Sequence, residues 1–120
     1  MAILATLNTN GLRNTDKRAE LFNLLIRKKY DIIFLQETFW NETYYEIAKQ
    51  EWKGEVISSI YTAGNRRGVS FLIKKDTDIE ITDCYTDNDG RFVKLDIILD
   101  NHEVTIVNIY APNIPSDRKH

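Results

Sequence analysis

Two apolar runs and the segment between them define the first part of the chain. Residues 2–8 and 31–36 are rich in large apolar side chains, and a continuous run of this kind is typical of a strand buried on both faces. Residues 15–30 place apolar side chains at helical spacing and carry cations at the end, where the helix dipole favours them. The pattern therefore predicts strand, helix and strand, with Thr15 or Asp16 as the N-cap of the helix.

Alternation of apolar and polar residues replaces the helical spacing in the second part of the chain. A shorter helix is expected to begin near Asn41 or Thr43. The strands that follow are predicted at residues 55–61, 69–74, 79–85, 91–99 and 104–110. The sequences DNDG and LDNHE have the composition of hairpin turns, which predicts antiparallel neighbours. A strand–helix–strand unit instead predicts a parallel pair with a right-handed crossover. We therefore expect an α/β fold, a mixed sheet with helices on one face.

Composition and charge narrow the class of protein. The chain has 120 residues, of which 42% are hydrophobic and 28% charged, and this is ordinary composition for one soluble globular domain. The formal net charge of −2 provides no general attraction to nucleic acid, so any polyanion would have to bind a local patch. A single cysteine, Cys84, excludes an intramolecular disulfide and favours a reducing compartment. We expect Cys84 to be a small packed residue of its strand.

Membrane and zinc-binding segments are not indicated by the sequence. No apolar run reaches the length of a transmembrane helix, and the opening MAILATL lacks the basic residues of a signal peptide. His102 and His120 lie far from any spacing of zinc ligands.

Two polar residues mark the ends of the predicted parallel strands. Asn8 closes the first strand and Glu37 follows the second directly. Because the crossover places these strands side by side and pointing the same way, both side chains should reach one edge of the sheet. An amide and a carboxylate are oxygen ligands of the kind that Mg²⁺ accepts while keeping several waters. The simpler alternative is that Glu37 only marks where the strand leaves the core and meets water.

The last predicted strand ends in NIYAPN, where Tyr110 and Asn113 flank a proline. A tyrosine at the end of a buried strand is usually a core aromatic with a hydrated hydroxyl group, and a role in the site is the alternative. The loop TAGNRRG contains Arg66 and Arg67, which either form a solvated loop or contact a DNA backbone. Asn10 is a further candidate for nucleic-acid contact.

The resemblance to a known family rests on five stretches, which in chain order are LNTNGL, LQET, GVSFLIKK, GRFVKLDI and NIYAPN. Together they resemble the endonuclease/exonuclease/phosphatase family over its amino-terminal half. The nearest likeness is to the apurinic-type endonuclease domain of non-long-terminal-repeat retrotransposons. The resemblance implies that residues 1–120 are a single partial domain, the amino-terminal half of a four-layer α/β sandwich. It also implies hydrolysis of phosphodiesters in DNA with Mg²⁺, or Mn²⁺, as cofactor.

Five residues match the family's functional positions. Asn8 is similar to the amino-terminal active-site Asn, and Glu37 to the metal-binding Glu. Tyr110 resembles the active-site Tyr, and Asn113 the neighbouring Asn of the same loop. Asn10 stands where many relatives carry an acidic residue that supports the metal, although retrotransposon members often have Asn there. The resemblance thus implies a catalytic set of Asn8, Glu37, Tyr110 and Asn113, with Glu37 and Asn8 at the metal.

The second half of the family pattern is missing from the chain. Its Asp-x-Asn and Ser-Asp-His elements have no match, since PSDRKH at 115–120 has the letters in another order. The resemblance therefore leaves no candidate for the general base, and we expect little activity from these residues alone. Alternative functions are a small-molecule or lipid phosphodiesterase or phosphatase of the same family, or a non-catalytic domain remnant. Without a second half the inner sheet face should be bare, which predicts self-association through it, or binding of the missing half.

Overall fold

A computed structural model describes residues 2–64 and 66–111. In chain order, its elements are β1 (Leu4–Asn8), α1 (Thr15–Arg27), β2 (Ile32–Gln36), α2 (Glu42–Glu51), β3 (Gly54–Ser59), β4 (Val69–Lys74), β5 (Ile79–Thr86), β6 (Phe92–Leu99) and β7 (His102–Ile109). Each predicted helix and strand is present, which confirms an α/β fold. The element boundaries differ from the predicted ones by a few residues.

The first sheet has the strand order β1-β2-β4-β3 and holds the predicted parallel pair. β1 runs parallel to β2, with Asn8 opposite Gln36 at the end of the pair. β4 lies antiparallel to both β2 and β3. The convergence expected from the crossover is therefore present: β1 and β2 end together at one edge of this sheet.

Asparagine caps begin both helices. The side chain of Asn14 accepts a hydrogen bond from Lys17 N at 2.9 Å, so the prediction of Thr15 or Asp16 as cap of α1 was wrong by one residue. Asn14 and Asp16 are both good caps, and Asp16 instead lies in the first turn, where the helix dipole favours a negative charge. Asn41 caps α2 as predicted. Among the described residues no helix has the length and apolar character needed to cross a bilayer.

The second sheet has the order β5-β6-β7 and was not predicted as a separate sheet. β5, β6 and β7 are antiparallel neighbours in sequence. The turn between β6 and β7 places Asp100 and Asn101 at φ values of 51° and 66°, which are the left-handed conformations of a two-residue hairpin turn. Sequence alternation predicted these strands but could not show that they leave the first sheet.

The central strands β2 and β4 of the first sheet are buried on both faces, as predicted for β2. The same prediction was wrong for β1, an edge strand with one face exposed. On one face Ile33 and Leu35 pack against Phe22 and Leu25 of α1, which confirms helices on one face. Residues on the other face pack against the second sheet in a core of Ile32, Val69, Phe71, Ile73, Val93, Leu95 and Ile97. The expectation of a bare inner face was therefore wrong, because β5, β6 and β7 cover it. Self-association stays a prediction, but most of the face on which it was to rest is buried, and Leu4 of β1 is its exposed part.

A buried arginine ties the loop after β1 to the end of α2. The side chain of Arg18 is 2% exposed, and its Nε lies 2.7 Å from Glu51 Oε1. A second guanidinium nitrogen donates to Glu51 Oε2 at 3.1 Å, and the third donates to the carbonyl oxygens of Leu12 and Arg13. This clamp fixes the loop that leaves Asn8, and thus supports the edge at which β1 and β2 end.

Candidate active site

Asn8 and Glu37 contact each other at the shared edge of β1 and β2. Asn8 Nδ2 donates to Glu37 Oε2 at 2.8 Å. Asn8 Oδ1 accepts from the backbone N–H of Asn10 at 3.1 Å, so both ends of the amide have partners. Both side chains are accessible at the protein surface. The structure thus brings together the two residues that the sequence singled out first.

The segment 37–39 is held in an uncommon backbone conformation. Glu37 and Phe39 have φ values of 55° and 60°, in the left-handed region that costs non-glycine residues about 1–2 kcal/mol. Gly11 N donates to Glu37 O at 2.7 Å, while Thr38 N donates to Gly68 O at 3.2 Å. These bonds attach the segment to the loops on either side of it. Strain of this kind persists where surrounding structure enforces it, and it is concentrated at functional sites.

Thr9 adds a second attachment on the side of β1. It is buried, and its single hydroxyl hydrogen is shared between Gln36 O at 3.0 Å and Glu37 O at 2.9 Å. Lys17 reaches back from α1, and its Nζ donates to Thr9 O at 2.8 Å. The backbone under Glu37 is therefore held from β1, independently of the Asn8 side chain.

Tyr110 lies just beyond the end of β7, where its N–H donates to Arg91 O at 2.8 Å. Its half-buried ring packs against the core between the two sheets. The structure thereby confirms the core-aromatic interpretation of Tyr110. Its role in the site stays a prediction. Asn113 falls outside the described residues, so its predicted place in the site also stays a prediction.

The loop with Arg66 and Arg67 passes beside the segment 37–39. Phe39 N donates to Arg67 O at 2.9 Å, and the Arg66 guanidinium lies 6.0 Å from the centre of the Phe39 ring. Arg67 stacks 4.1 Å from the Tyr61 ring and lies 3.8 Å from Asp89 Oδ1. The two arginines are therefore held beside the candidate site, although Arg67 has local partners of its own.

Sequence reasoning missed three residues at this edge: Arg13, Gln36 and Asn108. Arg13 Nε donates to Phe39 O. Gln36 Nε2 donates to Asn108 Oδ1 at 2.9 Å and so connects the two sheets. A signal for Asn108 was present, since a lone amide interrupts the apolar run TIVNIY, and buried amides need partners.

Metal-binding chemistry at this edge rests on few protein groups. Among residues 2–64 and 66–111, no group of three or more His, Cys, Asp or Glu side chains comes together as a metal site. Glu37 is the carboxylate that fits a hard divalent cation, because its side chain is accessible and Asn8 holds one of its oxygens. Asn8 as placed donates to that carboxylate, which is the arrangement of a residue that orients a ligand.

Cys84 lies on the edge strand β5 and is exposed, so the prediction of a packed residue was wrong. Cys84 is exposed because β5 is an outer strand of the second sheet and has little contact with the first sheet. His102 lies beside the β6–β7 turn, at the opposite end of β7 from Tyr110.

Although Cys84 is exposed, its thiol is partly desolvated, and this is the main cause that raises its pKa. The neighbouring Asp83 carboxylate raises the pKa further. Because the thiolate is the nucleophile, Cys84 should react with iodoacetamide at neutral pH more slowly than free cysteine does. The rate should then rise as the pH approaches the raised pKa. Mass spectrometry of timed samples measures it, with Asp83→Asn as the control that should react faster. Alkylation as fast as that of free cysteine would contradict this prediction.

Comparison with known proteins gives a consistent result. The family model described as "Endonuclease/Exonuclease/phosphatase family" matches residues 5–118. A Xenopus laevis protein, "Transposon TX1 uncharacterized 149 kDa protein", is 29% identical over 115 residues, which are 96% of this chain and 9% of that protein.

Two solved structures share the fold. The AP endonuclease LMAP from Leishmania major superposes with a TM-score of 0.72 at 19% identity, covering 95% of this chain and 42% of its own. The endonuclease domain of TRAS1, a telomere-specific non-LTR retrotransposon, gives a TM-score of 0.62 at 19% identity, covering 95% of this chain and 48% of its own. The chain thus spans less than half the length of each relative. The match over nearly all of its residues, on this fold, shows that it belongs to the endonuclease/exonuclease/phosphatase family.

Proposed function

We propose that this chain carries the metal-binding part of a Mg²⁺-dependent phosphodiester hydrolase that acts on DNA, of the retrotransposon endonuclease type. The observation that carries the proposal is the hydrogen-bonded pair of Asn8 and Glu37 at the end of two parallel strands. The pair is accessible, and the backbone beneath it is held by loops on both sides. A rigid carboxylate at the surface is suited to binding a cation, whereas a strand merely leaving the core needs no such support.

Glu37 would hold the cation, and Asn8 would orient the carboxylate that binds it. When bound, Mg²⁺ supplies charge neutralisation at a phosphate oxygen. The same amide group of Asn8 can hydrogen-bond a phosphate oxygen near the carboxylate. We assign Tyr110 to a contact with a phosphate oxygen, on the side of the second sheet. Asn113 follows it by three residues in the sequence and is proposed for the same task.

A DNA substrate is supported by the cations around the site. Arg13, Arg66 and Arg67 all lie beside Phe39 of the segment 37–39. Arginine is suited to phosphate because its planar guanidinium group can donate two parallel hydrogen bonds. A chain of net charge −2 that collects arginines at one edge has the local patch that polyanion binding requires. Asn10, exposed in the same loop system, is a further proposed contact. The similarity in fold to an AP endonuclease and to a retrotransposon endonuclease domain favours the same substrate.

We further infer that residues 1–120 form one part of the catalytic domain and hydrolyse DNA slowly without the rest. The coverage of 42% and 48% of the two solved chains supports a partial domain. No general base is assigned among the described residues, and general acid–base catalysis typically contributes about 10²–10⁴-fold in rate. Purified residues 1–120 should therefore nick supercoiled DNA with Mg²⁺ no faster than the Glu37→Ala variant. Rapid nicking that Glu37→Ala abolishes would contradict the partial-domain part of the proposal.

Calorimetric titration with Mn²⁺ and Mg²⁺ tests the metal site directly. The wild-type chain should bind weakly, and Glu37→Gln should lower the affinity by at least about 10-fold, because the neutral amide is a poor ligand for a hard cation. Glu103→Gln, which removes an exposed carboxylate from the second sheet, is the matched control and should bind as the wild type does. Equal affinity in Glu37→Gln and the wild type would remove Glu37 from the metal site. A panel of DNA, sugar phosphates and phospholipid head groups then separates the nuclease from the phosphatase alternative.

A further inference from the structure

Two amide side chains join the sheets directly behind the Asn8–Glu37 pair. Asn108 of β7 is 2% exposed. Its Nδ2 donates to Leu35 O at 3.0 Å and to Ser70 O at 2.9 Å, so both of its amide hydrogens are used by strands of the first sheet. Its Oδ1 accepts from Gln36 Nε2 at 2.9 Å.

The direction of these hydrogen bonds is fixed. Backbone carbonyl groups only accept, so the amide of Asn108 cannot be turned over without leaving Leu35 O and Ser70 O unpaired. Oδ1 of Asn108 therefore has to face Gln36, and residue 36 has to supply a hydrogen-bond donor. Gln36 does so with Nε2, which also lies 3.2 Å from Thr6 Oγ1. Leaving such buried groups unpaired is costly.

Both ends of this connection lead to the candidate site. Gln36 is opposite Asn8 in the β1–β2 pair and directly precedes Glu37. Asn108 lies two residues before Tyr110 in the last described stretch of the chain.

Most of the remaining contact between the sheets is apolar and not directional. A second polar link, from Ser59 Oγ of β3 to Asp87 O at 2.9 Å, lies at the turn between β5 and β6. The directional bond between Gln36 and Asn108 sets how the end of β7 lies against the end of β2.

We propose that the Gln36–Asn108 pair positions Tyr110 relative to Asn8 and Glu37, and that this requires a hydrogen-bond donor at residue 36. The inference rests on the proposed function for its purpose, since Tyr110 matters there as a phosphate contact. Gln36 and Asn108 are positioning residues, because neither needs to touch the substrate itself.

Nuclear magnetic resonance of tyrosine rings tests the proposal without any metal. The chain is labelled with ¹³C at tyrosine rings, and Tyr110→Phe identifies the Tyr110 signal. Gln36→Glu keeps the shape of the side chain but replaces the donor by an acceptor, and Gln36→Met removes both. Tyr45 is the internal reference, since it lies on α2 and its hydroxyl group donates to Val56 O at 3.1 Å. Thr105→Val, which removes the 2.6 Å bond from Thr105 Oγ1 to Asp96 Oδ1, is the control in β7.

Both Gln36 variants should shift or broaden the Tyr110 signal beyond the effect of Thr105→Val, while the Tyr45 signal stays at its wild-type position. An unchanged Tyr110 signal in either folded Gln36 variant would overturn the proposal. So would an equal change at Tyr45 and Tyr110, because that result means a general loss of packing. The titration of Glu37→Gln decides the proposed function separately: a chain that binds no Mn²⁺ but shows the selective Tyr110 shift refutes the metal site and keeps the positioning pair.

Discussion

Replacing Arg18 by methionine should lower the free energy of unfolding by about 2–4 kcal/mol. This is the largest loss of stability that we expect from removing one buried polar side chain of this protein. The variant keeps the apolar stem of the side chain but leaves the carbonyl group of Arg13 without this donor, whereas Leu12 O keeps the bond from Trp40 Nε1 at 2.9 Å. The cost stays below that of a fully buried ion pair because the Glu51 side chain is 34% exposed and can be hydrated. Guanidinium unfolding, followed by the fluorescence of the buried Trp40 and Trp52, measures the change.

Two controls separate the sources of that loss. Glu51→Gln keeps an acceptor for the guanidinium group, so it should cost less than Arg18→Met. Lys49→Met removes the exposed pair with Glu46 and should leave the unfolding midpoint unchanged. If Arg18→Met and Lys49→Met had equal effects, the buried clamp would not stabilise the loop after β1.

Replacing Gly68 by alanine should cost about 2–4 kcal/mol in stability and also weaken Mn²⁺ binding. Gly68 has a φ of 120°, which side chains rarely adopt, and an added methyl group would overlap the buried Thr38 Oγ1. Because Gly68 O accepts from Thr38 N, the displacement reaches the residue next to Glu37. Denaturation and calorimetric titration of the same sample measure both effects.

A double-mutant cycle tests the steric part of the Gly68 prediction. Thr38 Oγ1 is buried and has no hydrogen-bond partner among residues 2–64 and 66–111, so Thr38→Ala alone should cost little. Thr38→Ala combined with Gly68→Ala should recover the part of the loss that comes from overlap and leave the backbone strain. No recovery in the double variant would show that the overlap is not the cause.

The parallel pair was predictable because its signals are local. The run Ile32–Leu35 has no polar break, and it is flanked by a helix with clear spacing, so the crossover and the meeting of Asn8 and Glu37 followed from chain geometry. The division into two sheets did not follow. β4 belongs to the first sheet and β6 to the second, yet both strands are rich in apolar residues. Only the pairing of the strands shows which sheet each one joins.

The detailed geometry of the site could not be predicted from the sequence, for a different reason. The left-handed conformations of Glu37 and Phe39 are uncommon for these residue types, so no local preference predicts them. They depend on hydrogen bonds to Gly11 and Arg67, which are distant in sequence. Likewise, Asn108 was visible as a polar residue in an apolar strand, but its partners in β2 and β4 became known only from the packing of the sheets.

The order of the two sheets along the chain has a consequence for synthesis on the ribosome. All four strands of the first sheet precede β5, and about 35 residues separate the end of β4 from the end of β7. At about 5–20 residues per second, the ribosome needs roughly 2–7 s to add them. During that interval Ile32, Phe71 and Ile73 have no second sheet to cover them. The nascent chain therefore presents an apolar surface for seconds, long enough for a chaperone or another nascent chain to bind it.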